Sequence, residues 1–370
     1  MVRLRYGRAM MALVVDTDVG TDDIAALALL HLRNAHLSAL CTVRGLTRPR
    51  IGAAILSKVL LRPCRLEAST RLAVPAPPLD MALQCAEGQH LFVDTWRAFH
   101  ERELATRLLG TSEQEGHSND DVGLTAGLRE TGCKGNEAVL QTGMYLDSAD
   151  VLEDALRSDS TTVLALGPLT SIAHALEAVL GDKANERAPA KPLCELIWCG
   201  GVLPGFGNEP PVSVTAFQSG AEWNAFADIR ATQNVLVHHA SKFARPITLI
   251  PLNVSALAFD VDVLASAAAL TSEKGHGAKL LVNAMELCAP QVYDLMAAVY
   301  YLQPSLFQCE WVSLAVDDGG RFQVIQRFQT EDEARGNGAN IRAVIDADRD
   351  GIHAWLKSVL QESVQDTPPS

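Results

Sequence analysis

The most constraining feature of the sequence is an aspartate-rich turn between two apolar segments. Residues 11–15 form a continuous apolar run that predicts a buried strand, and residues 24–30 have the apolar spacing of a helix. Between them lie four aspartates and one glycine in eight residues, namely Asp16, Asp18, Gly20, Asp22 and Asp23. Because α/β proteins bind ligands where a strand ends at the start of a helix, this aspartate turn (residues 16–23) predicts a functional site.

The residue types of the aspartate turn indicate a divalent cation. Asp and Gly are common in ordinary turns, and Asp often caps helices, so one or two of these residues alone would indicate only a turn. Four carboxylates in one turn repel each other unless a cation lies among them. Hard divalent cations prefer carboxylate and carbonyl oxygen. The sequence therefore predicts a Ca²⁺ or Mg²⁺ site at the C-terminal end of the first strand.

Composition narrows the class of protein. The chain has 370 residues, 48% of them hydrophobic, which is enough for a large core, and its formal net charge is −13. This acidic balance argues against nucleic acid or an anionic membrane as a partner, because phosphate binding needs a basic face. No apolar run is long enough to span a bilayer, and a signal peptide would have to remove the aspartate turn. None of the eight cysteines forms a CxxC pair, so we expect buried thiols in a cytoplasmic protein.

Strand and helix patterns alternate along most of the chain. Strands are predicted at residues 37–43, 161–166, 193–199, 234–238, 247–252, 311–316, 322–326 and 340–345. Helices are predicted at residues 51–61, 149–157, 171–180, 280–288, 294–302 and 351–360. The alternation predicts a single Rossmann-like α/β domain over residues 11–362, with a mostly parallel central sheet flanked by helices and the active site at the C-terminal strand ends. We expect flexible termini at residues 1–10 and 363–370, and a solvent-exposed loop around His117.

Polar residues recur where later strands are predicted to end. Gly200 and Gly201 follow one of these strands and lead into a Gly/Pro-rich loop. Glu222 and Asn224, two residues apart, would share one face of an extended segment. Asp294 opens a late helix and could give the cation a further carboxylate.

With these segments the sequence resembles the calcium-dependent nucleoside hydrolases. Four motifs of that family occur in order across nearly the whole chain. The first is a strand followed by DxDxGxDD, matched by Asp16, Asp18, Gly20, Asp22 and Asp23, and the second is a GPLTN-like junction, matched by residues 166–171. The third is the run GG…GN…AEFN…D, matched by Gly200, Gly201, Gly207, Asn208, residues 221–224 and Asp228. The fourth is a late Asp followed by Pro-x-Leu-Phe, matched by Asp294 and residues 304–307.

The resemblance implies hydrolysis of the N-glycosidic bond of a ribonucleoside to ribose and free base. It implies that Ca²⁺ is held by Asp18, Asp23, Asp294 and the backbone carbonyl of Leu166, and that Asp18 is also the general base. Asp16 would orient the loop or its neighbours. The residues implied to bind the ribose hydroxyls are Asp22, Asn208, Glu222, Asn224 and Asp294. A homodimer or homotetramer is also implied, with a small nucleoside as the substrate.

The sequence departs from the family pattern at three places. The family often has a Gly-Asn turn after the second strand, where this chain has Gly45-Leu46. The residue before the late Asp is often a His that assists the leaving base, and here it is Tyr293, which we expect to be catalytic and to favour purines. Residues 209–220 replace a shorter loop and could reshape the mouth of the pocket.

Two other functions are compatible with parts of the sequence. The Leu46 and Tyr293 departures would suit a catalytically altered or inactive relative that binds a nucleoside or another ribosyl compound. Asp16-Thr17-Asp18 also resembles the DxD of Mg²⁺-dependent phosphohydrolases of the haloacid-dehalogenase type. Such an enzyme needs a Ser or Thr and a Lys at later strand ends for phosphate, whereas this chain has Glu222 and Asn224.

Overall fold

The strand before the aspartate turn lies inside a ten-stranded sheet. The computed structural model describes residues 11–66, 69–75, 101, 104, 145–181, 193–204, 221–255, 275–288 and 292–362. The strands are β1 (Ala12–Thr17), β2 (Leu37–Thr42), β3 (Arg71–Val74), β4 (Leu146–Asp147), β5 (Thr161–Ala165), β6 (Glu195–Cys199), β7 (Ile247–Ile250), β8 (Phe307–Val316), β9 (Phe322–Phe328) and β10 (Ile341–Ala347). Expectations for the two termini, His117, Asn208 and residues 209–220 lie outside the described residues.

The sheet is mostly parallel, as the sequence predicts. Its strand order is β4-β3-β2-β1-β5-β6-β7-β10-β8-β9, and neighbouring strands from β4 to β10 are parallel. The pairs β10–β8 and β8–β9 are antiparallel. The strands that follow β1 first extend the sheet on one side of it and then, from β5, on the other. This reversal places a crevice at the C-terminal ends of β1 and β5, where open α/β sheets bind ligands.

Helices cover both faces of the sheet. They are α1 (Thr21–Leu32), α2 (Pro49–Leu56), α3 (Ser148–Leu156), α4 (Thr170–Gly181), α5 (Trp223–Ala227), α6 (Ile229–Gln233), α7 (Leu252–Ser255), α8 (His276–Cys288), α9 (Tyr293–Leu302), α10 (Glu331–Gly336) and α11 (Arg349–Glu362). Within the described ranges, none of these helices has the length and apolarity needed to cross a bilayer.

Each face of the sheet has its own core, because side chains of a strand alternate between faces. Leu13 and Val15 of β1 pack with α1, α8 and α9, whereas Val14 packs on the opposite face with α3 and α4. Burial on both faces explains why the parallel strands are continuous apolar runs in the sequence.

One predicted strand is wrong. Asn234–His238 forms a π-helical turn that continues α6, and it is not a strand. Its buried residues, Val235 and Leu236, pack in the same core as α4. An apolar run this short does not distinguish a strand from a buried helical turn by its periodicity.

Candidate active site

The aspartate turn is a tight junction between β1 and α1 that buries its carboxylates. Asp18 and Asp23 are buried, and Asp22 is 9% exposed. Val19, between the strand and the helix, has a left-handed backbone with φ of 60°. The Gly20 N–H donates to Asp23 Oδ2 at 2.8 Å, so Asp23 reaches back to the N-cap of α1. This bond directs Asp23 toward the C-terminal end of the sheet.

The turn after β2 holds Asp18. The Leu46 N–H donates to Asp18 Oδ2 at 2.8 Å, and the Thr47 hydroxyl donates to the Asp18 carbonyl at 2.8 Å. At Gly45, an added Cβ would lie 2.0 Å from Asp18 Oδ2, so only glycine fits there. Leu46 therefore supports the site through its backbone, which explains how the turn tolerates a residue without a polar side chain.

Asp294 completes a group of buried carboxylates that the distant segments bring together. It lies in the first turn of α9, and one oxygen each from Asp22, Asp23 and Asp294 lie within 4.8 Å of one another. Asp18 adjoins Asp23, and we refer to these four residues, Asp18, Asp22, Asp23 and Asp294, as the acidic cluster. Within the described part of the chain, no Lys or Arg forms an ion pair with any of them.

The electrostatics of the acidic cluster are unfavourable without a cation. Burial and the neighbouring Asp23 carboxylate raise the pKa values of Asp18 and Asp294 well above the ordinary range. The same two causes raise the pKa of Asp22 to about 7. Buried, mutually repelling oxygens without a basic partner are a donor set that fits a hard divalent cation.

Asn224 joins the ends of two central strands. Its Nδ2 donates to the Leu166 carbonyl at 2.8 Å, just after β5, and to the Cys199 carbonyl at 3.1 Å, at the end of β6. Leu166 is tied to β1 as well, because its N–H donates to the Asp16 carbonyl at 2.8 Å. The Leu166 carbonyl is thus fixed beside the aspartate turn. A carbonyl oxygen has two lone pairs, so it can accept this bond and still face a cation.

Glu222 is the N-cap of α5, a role that the sequence did not reveal. Its Oε1 accepts the Asn224 N–H at 2.8 Å, and its Oε2 accepts the Gly201 N–H at 2.8 Å and the Ala225 N–H at 3.1 Å. Burial raises the pKa of Glu222, and these three donors oppose that effect. Glu222 therefore anchors the loop after β6 to the start of α5.

Tyr293 presents a hydrogen-bond donor to the site. It is the first residue of α9, directly before Asp294. Its hydroxyl is buried and has no hydrogen-bond partner among the described residues. Burial first, and then the Asp22 and Glu222 carboxylates, raise the pKa of Tyr293. The hydroxyl therefore keeps its proton and can donate it to a hydrogen bond with a bound molecule.

The first two residues of the aspartate turn differ from the sequence-based view. Both carboxyl oxygens of Asp16 are buried and have no hydrogen-bond partner in the part of the chain that the structure describes, so no hydrogen bond there ties this side chain to the loop. Thr17, which the sequence analysis did not select, donates its hydroxyl to Asp23 Oδ1. A hydroxyl residue between two motif aspartates was the available signal for Thr17.

The structure brings most of the predicted site residues to one edge of the sheet. Those at the C-terminal ends of β1, β5 and β6 and at the starts of α1, α5 and α9 are Asp18, Asp22, Asp23, Leu166, Glu222, Asn224, Tyr293 and Asp294. Asn208 lies outside the described residues, so its predicted place in the site stays a prediction.

Comparison with solved structures gives relatives with the same fold. An inosine-uridine preferring nucleoside hydrolase from Bacillus anthracis aligns with a TM-score of 0.60 and 18% identity, covering 95% of this chain and 100% of that one. A plant nucleoside hydrolase aligns with a TM-score of 0.61 and 18% identity, covering 97% and 100%. A purine-preferring ribonucleoside hydrolase from Gardnerella vaginalis aligns with a TM-score of 0.60 and 16% identity, covering 96% and 100%.

Comparison of the sequence with protein families identifies the family to which this chain belongs. A search of curated proteins found no match. The family model described as inosine-uridine preferring nucleoside hydrolase matches residues 13–354. This range contains the aspartate turn and Asp294, and it confirms the resemblance drawn from the motifs, whereas the phosphohydrolase alternative gains no support. The chain therefore belongs to the family of inosine-uridine preferring nucleoside hydrolases, and it is an N-glycosidic nucleoside hydrolase.

Proposed function

We propose that the protein hydrolyses a ribonucleoside to ribose and free base in a calcium-dependent reaction, with Asp18 as the general base. The observation that carries this proposal is the acidic cluster, in which carboxyl oxygens of Asp22, Asp23 and Asp294 lie within 4.8 Å of one another. The cluster stands at the sheet edge where such folds bind ligands. Family membership supplies the reaction class.

The cation would be held by Asp18, Asp23, Asp294 and the Leu166 carbonyl. Ca²⁺ accepts about six to eight oxygen ligands in flexible geometry, whereas Mg²⁺ requires a near-octahedral site and keeps most of its waters. A buried site with several carboxylates and a backbone carbonyl suits Ca²⁺ better. When bound, Ca²⁺ would lower the pKa of a water molecule that it polarises.

Asp18 would accept the proton of the attacking water. Its Oδ2 accepts the Leu46 N–H at 2.8 Å, which fixes the orientation of the carboxylate that would act as the base. The raised pKa of Asp18 arises from burial and from Asp23, and a cation would counteract both causes. Asp18 would then be ionised at neutral pH, as a general base must be.

The remaining polar groups would bind the ribose. Breaking the N-glycosidic bond builds positive charge on the sugar, as in O-glycoside hydrolysis, and nearby carboxylates stabilise that charge. Asp22 and Asp294 lie in the acidic cluster and would bind ribose hydroxyls there, with Asn208, Glu222 and Asn224. The three backbone donors on Glu222 fix its carboxylate in place, which supports a precise sugar contact.

Tyr293 would act on the leaving base. Its buried, unpartnered hydroxyl keeps its proton and can donate a hydrogen bond to a ring nitrogen or a carbonyl of the base. The aromatic ring can also stack on a purine. A solved relative is named inosine-guanosine nucleoside hydrolase and another is named purine-preferring, which agrees with a purine nucleoside as the substrate.

The wider setting follows from the family resemblance. We expect one functional domain over residues 11–362, a homodimer or homotetramer, and a cytoplasmic role in purine or pyrimidine salvage. The acidic composition is consistent with a small-molecule substrate and with no nucleic-acid or membrane partner.

Ribose release tests the proposal directly. Purified protein is incubated with inosine, adenosine, guanosine, uridine and cytidine, each with CaCl₂ and with EGTA. We expect calcium-dependent ribose release, fastest from a purine nucleoside. No release from any substrate, with Ca²⁺ bound as shown by calorimetry, would instead support the altered relative that binds without turnover. Release that persists in EGTA would contradict the calcium requirement.

A further inference from the structure

Thr17 makes a second contact on the carboxylate of Asp23. It is the last residue of β1 and is fully buried. Its hydroxyl donates to Asp23 Oδ1 and accepts the Val19 N–H at 3.0 Å. On the other oxygen, Asp23 Oδ2 accepts the Gly20 N–H at 2.8 Å. Both oxygens of Asp23 are therefore held by donors of the chain itself.

These contacts are directional. A threonine hydroxyl can donate one hydrogen bond, and Thr17 donates it to Asp23. The oxygen of the same hydroxyl accepts the Val19 N–H, which fixes the direction of the hydroxyl. Two donors on two oxygens fix the rotation of the carboxylate. Without them, only the contacts with Asp18 and Asp294 would orient the Asp23 carboxylate.

We propose that Thr17 is a positioning residue that holds the Asp23 carboxylate in its cation-binding orientation before the cation arrives. The inference rests on the proposed function, because it requires Asp23 to be a ligand. Groups that orient metal ligands by hydrogen bonds typically change metal affinity by about 10- to 100-fold when removed. The role of Thr17 should therefore appear in cation affinity and not only in turnover.

The neighbouring strand provides a matched control. Thr42 is the last residue of β2, pairs with Thr17 in the sheet register, and is also fully buried. Among the described residues its hydroxyl donates to the Ala73 carbonyl alone, at a long 3.4 Å. Thr42→Val thus removes a buried hydroxyl at the same level of the sheet without touching a carboxylate.

The test compares Ca²⁺ affinities of metal-free proteins. Wild type, Thr17→Val, Thr17→Ser and Thr42→Val are stripped with EGTA, exchanged into chelator-free buffer and titrated with CaCl₂ by calorimetry. We expect about 10- to 100-fold weaker binding for Thr17→Val, wild-type binding for Thr42→Val, and binding close to wild type for Thr17→Ser, which keeps the hydroxyl. Thermal midpoints of the metal-free proteins report separately on the lost Val19 contact.

The outcomes separate this inference from the proposed function. If wild type binds Ca²⁺ and Thr17→Val binds it equally well, the positioning role is wrong while the cation site stands. An equal loss in Thr42→Val, or no recovery in Thr17→Ser, would also overturn the role. If wild type itself binds no Ca²⁺, the proposed cation site fails and the role of Thr17 fails with it. Thr17→Ala gives the same comparison if Thr17→Val does not fold.

Discussion

Two regions of the molecule bury aspartates in opposite ways. At the junction of α5 and α6, Asp228 Oδ2 accepts the Thr170 hydroxyl at 2.7 Å, and Oδ1 accepts the Ala231 N–H at 3.0 Å. Burial raises the pKa of Asp228, and these hydrogen bonds oppose that effect. Asp228 is thus satisfied by the chain and joins α4 to α6.

The acidic cluster differs because several carboxylates lie side by side there, although Asp18, Asp22 and Asp23 each also accept hydrogen bonds from the chain. Burial first, and then the like charge of Asp23, raises the pKa values of Asp22 and Asp294. Thr17 and Gly20 donate to Asp23, and Leu46 donates to Asp18, but none of these donors carries a positive charge. The comparison teaches that burial alone does not mark a functional carboxylate. What distinguishes the cluster is several buried carboxylates together with no basic partner among the described residues, which leaves a place for a cation.

The largest expected effect comes from Asp18. We expect Asp18→Asn to lower kcat by about 10²- to 10⁴-fold, because the proposed proton acceptor is lost while its shape is kept. The thermal midpoint of the metal-free variant should be equal to or above that of wild type, because burial disfavours an ionised carboxylate at this position and asparagine cannot ionise. Ribose release and differential scanning calorimetry measure both. Asp332→Asn, at an exposed position of α10, is the matched control and should leave turnover unchanged. Wild-type turnover in Asp18→Asn would contradict the assignment of the base.

The next effect is the coupling of Ca²⁺, pH and stability. A raised pKa in the folded state means that the metal-free protein loses stability as pH rises through that pKa, which is about 7 for Asp22. Ca²⁺ binds the deprotonated cluster and should add about 2.7 kcal/mol at a concentration 100 times its Kd. The rise in thermal midpoint on adding Ca²⁺ should therefore be larger at pH 8 than at pH 5. A calcium effect that is equal at both pH values would contradict the role of the cluster.

A structural effect of intermediate size is expected at Asp228. Asp228→Ala leaves the Thr170 hydroxyl and the Ala231 N–H without their acceptor and removes the N-cap of α6. We expect the free energy of unfolding to fall by about 1–3 kcal/mol. Ca²⁺ affinity at a temperature where the variant is folded should match wild type. Denaturant unfolding measures the change in stability, and calorimetry measures the Ca²⁺ affinity. A loss of calcium affinity would mean that Asp228, like the acidic cluster, contributes to the cation site.

Local sequence patterns predicted the parts of the fold and site that depend on neighbours in the chain. The apolar run of β1, the aspartate turn and α1 are contiguous, and the structure confirms them. The alternation of strand and helix patterns correctly indicated a mostly parallel sheet, and the position of Asp294 at the start of a late helix correctly indicated a carboxylate at the same edge. The strand predicted at Asn234–His238 failed because five residues are too few to show a period.

Tertiary contacts determined what the sequence could not show. Leu46 supports Asp18 through a backbone N–H, which every residue except proline has, so no residue type signals it. Glu222 caps α5 and also accepts the Gly201 N–H, because Gly201, just after β6, lies beside the start of that helix. Thr17 acts on Asp23 across the turn, and its hydroxyl could equally have faced solvent or a neighbouring strand.

The smallest expected effect concerns Asp16, which shares features with both the acidic cluster and Asp228. It is fully buried like the cluster, but its carboxyl oxygens have no partner and it lies one residue before Thr17. Burial, and secondarily Asp23, raise its pKa, so the carboxyl is neutral in the folded protein. Asp16→Asn exchanges one neutral group for another of similar size, and we expect a change in the free energy of unfolding of no more than about 1 kcal/mol.

Calcium affinity decides where Asp16 belongs. A neutral Asp16 contributes little to cation binding, so Asp16→Asn should change the Kd for Ca²⁺ by no more than about twofold, or about 0.4 kcal/mol. A loss of about tenfold or more in a titration with CaCl₂ would mean that Asp16 is ionised in the loaded protein and belongs to the cation site. The acidic cluster would then include Asp16 of β1. A buried carboxylate without a hydrogen-bond partner would in that case be a sufficient sign of a cation ligand in this fold.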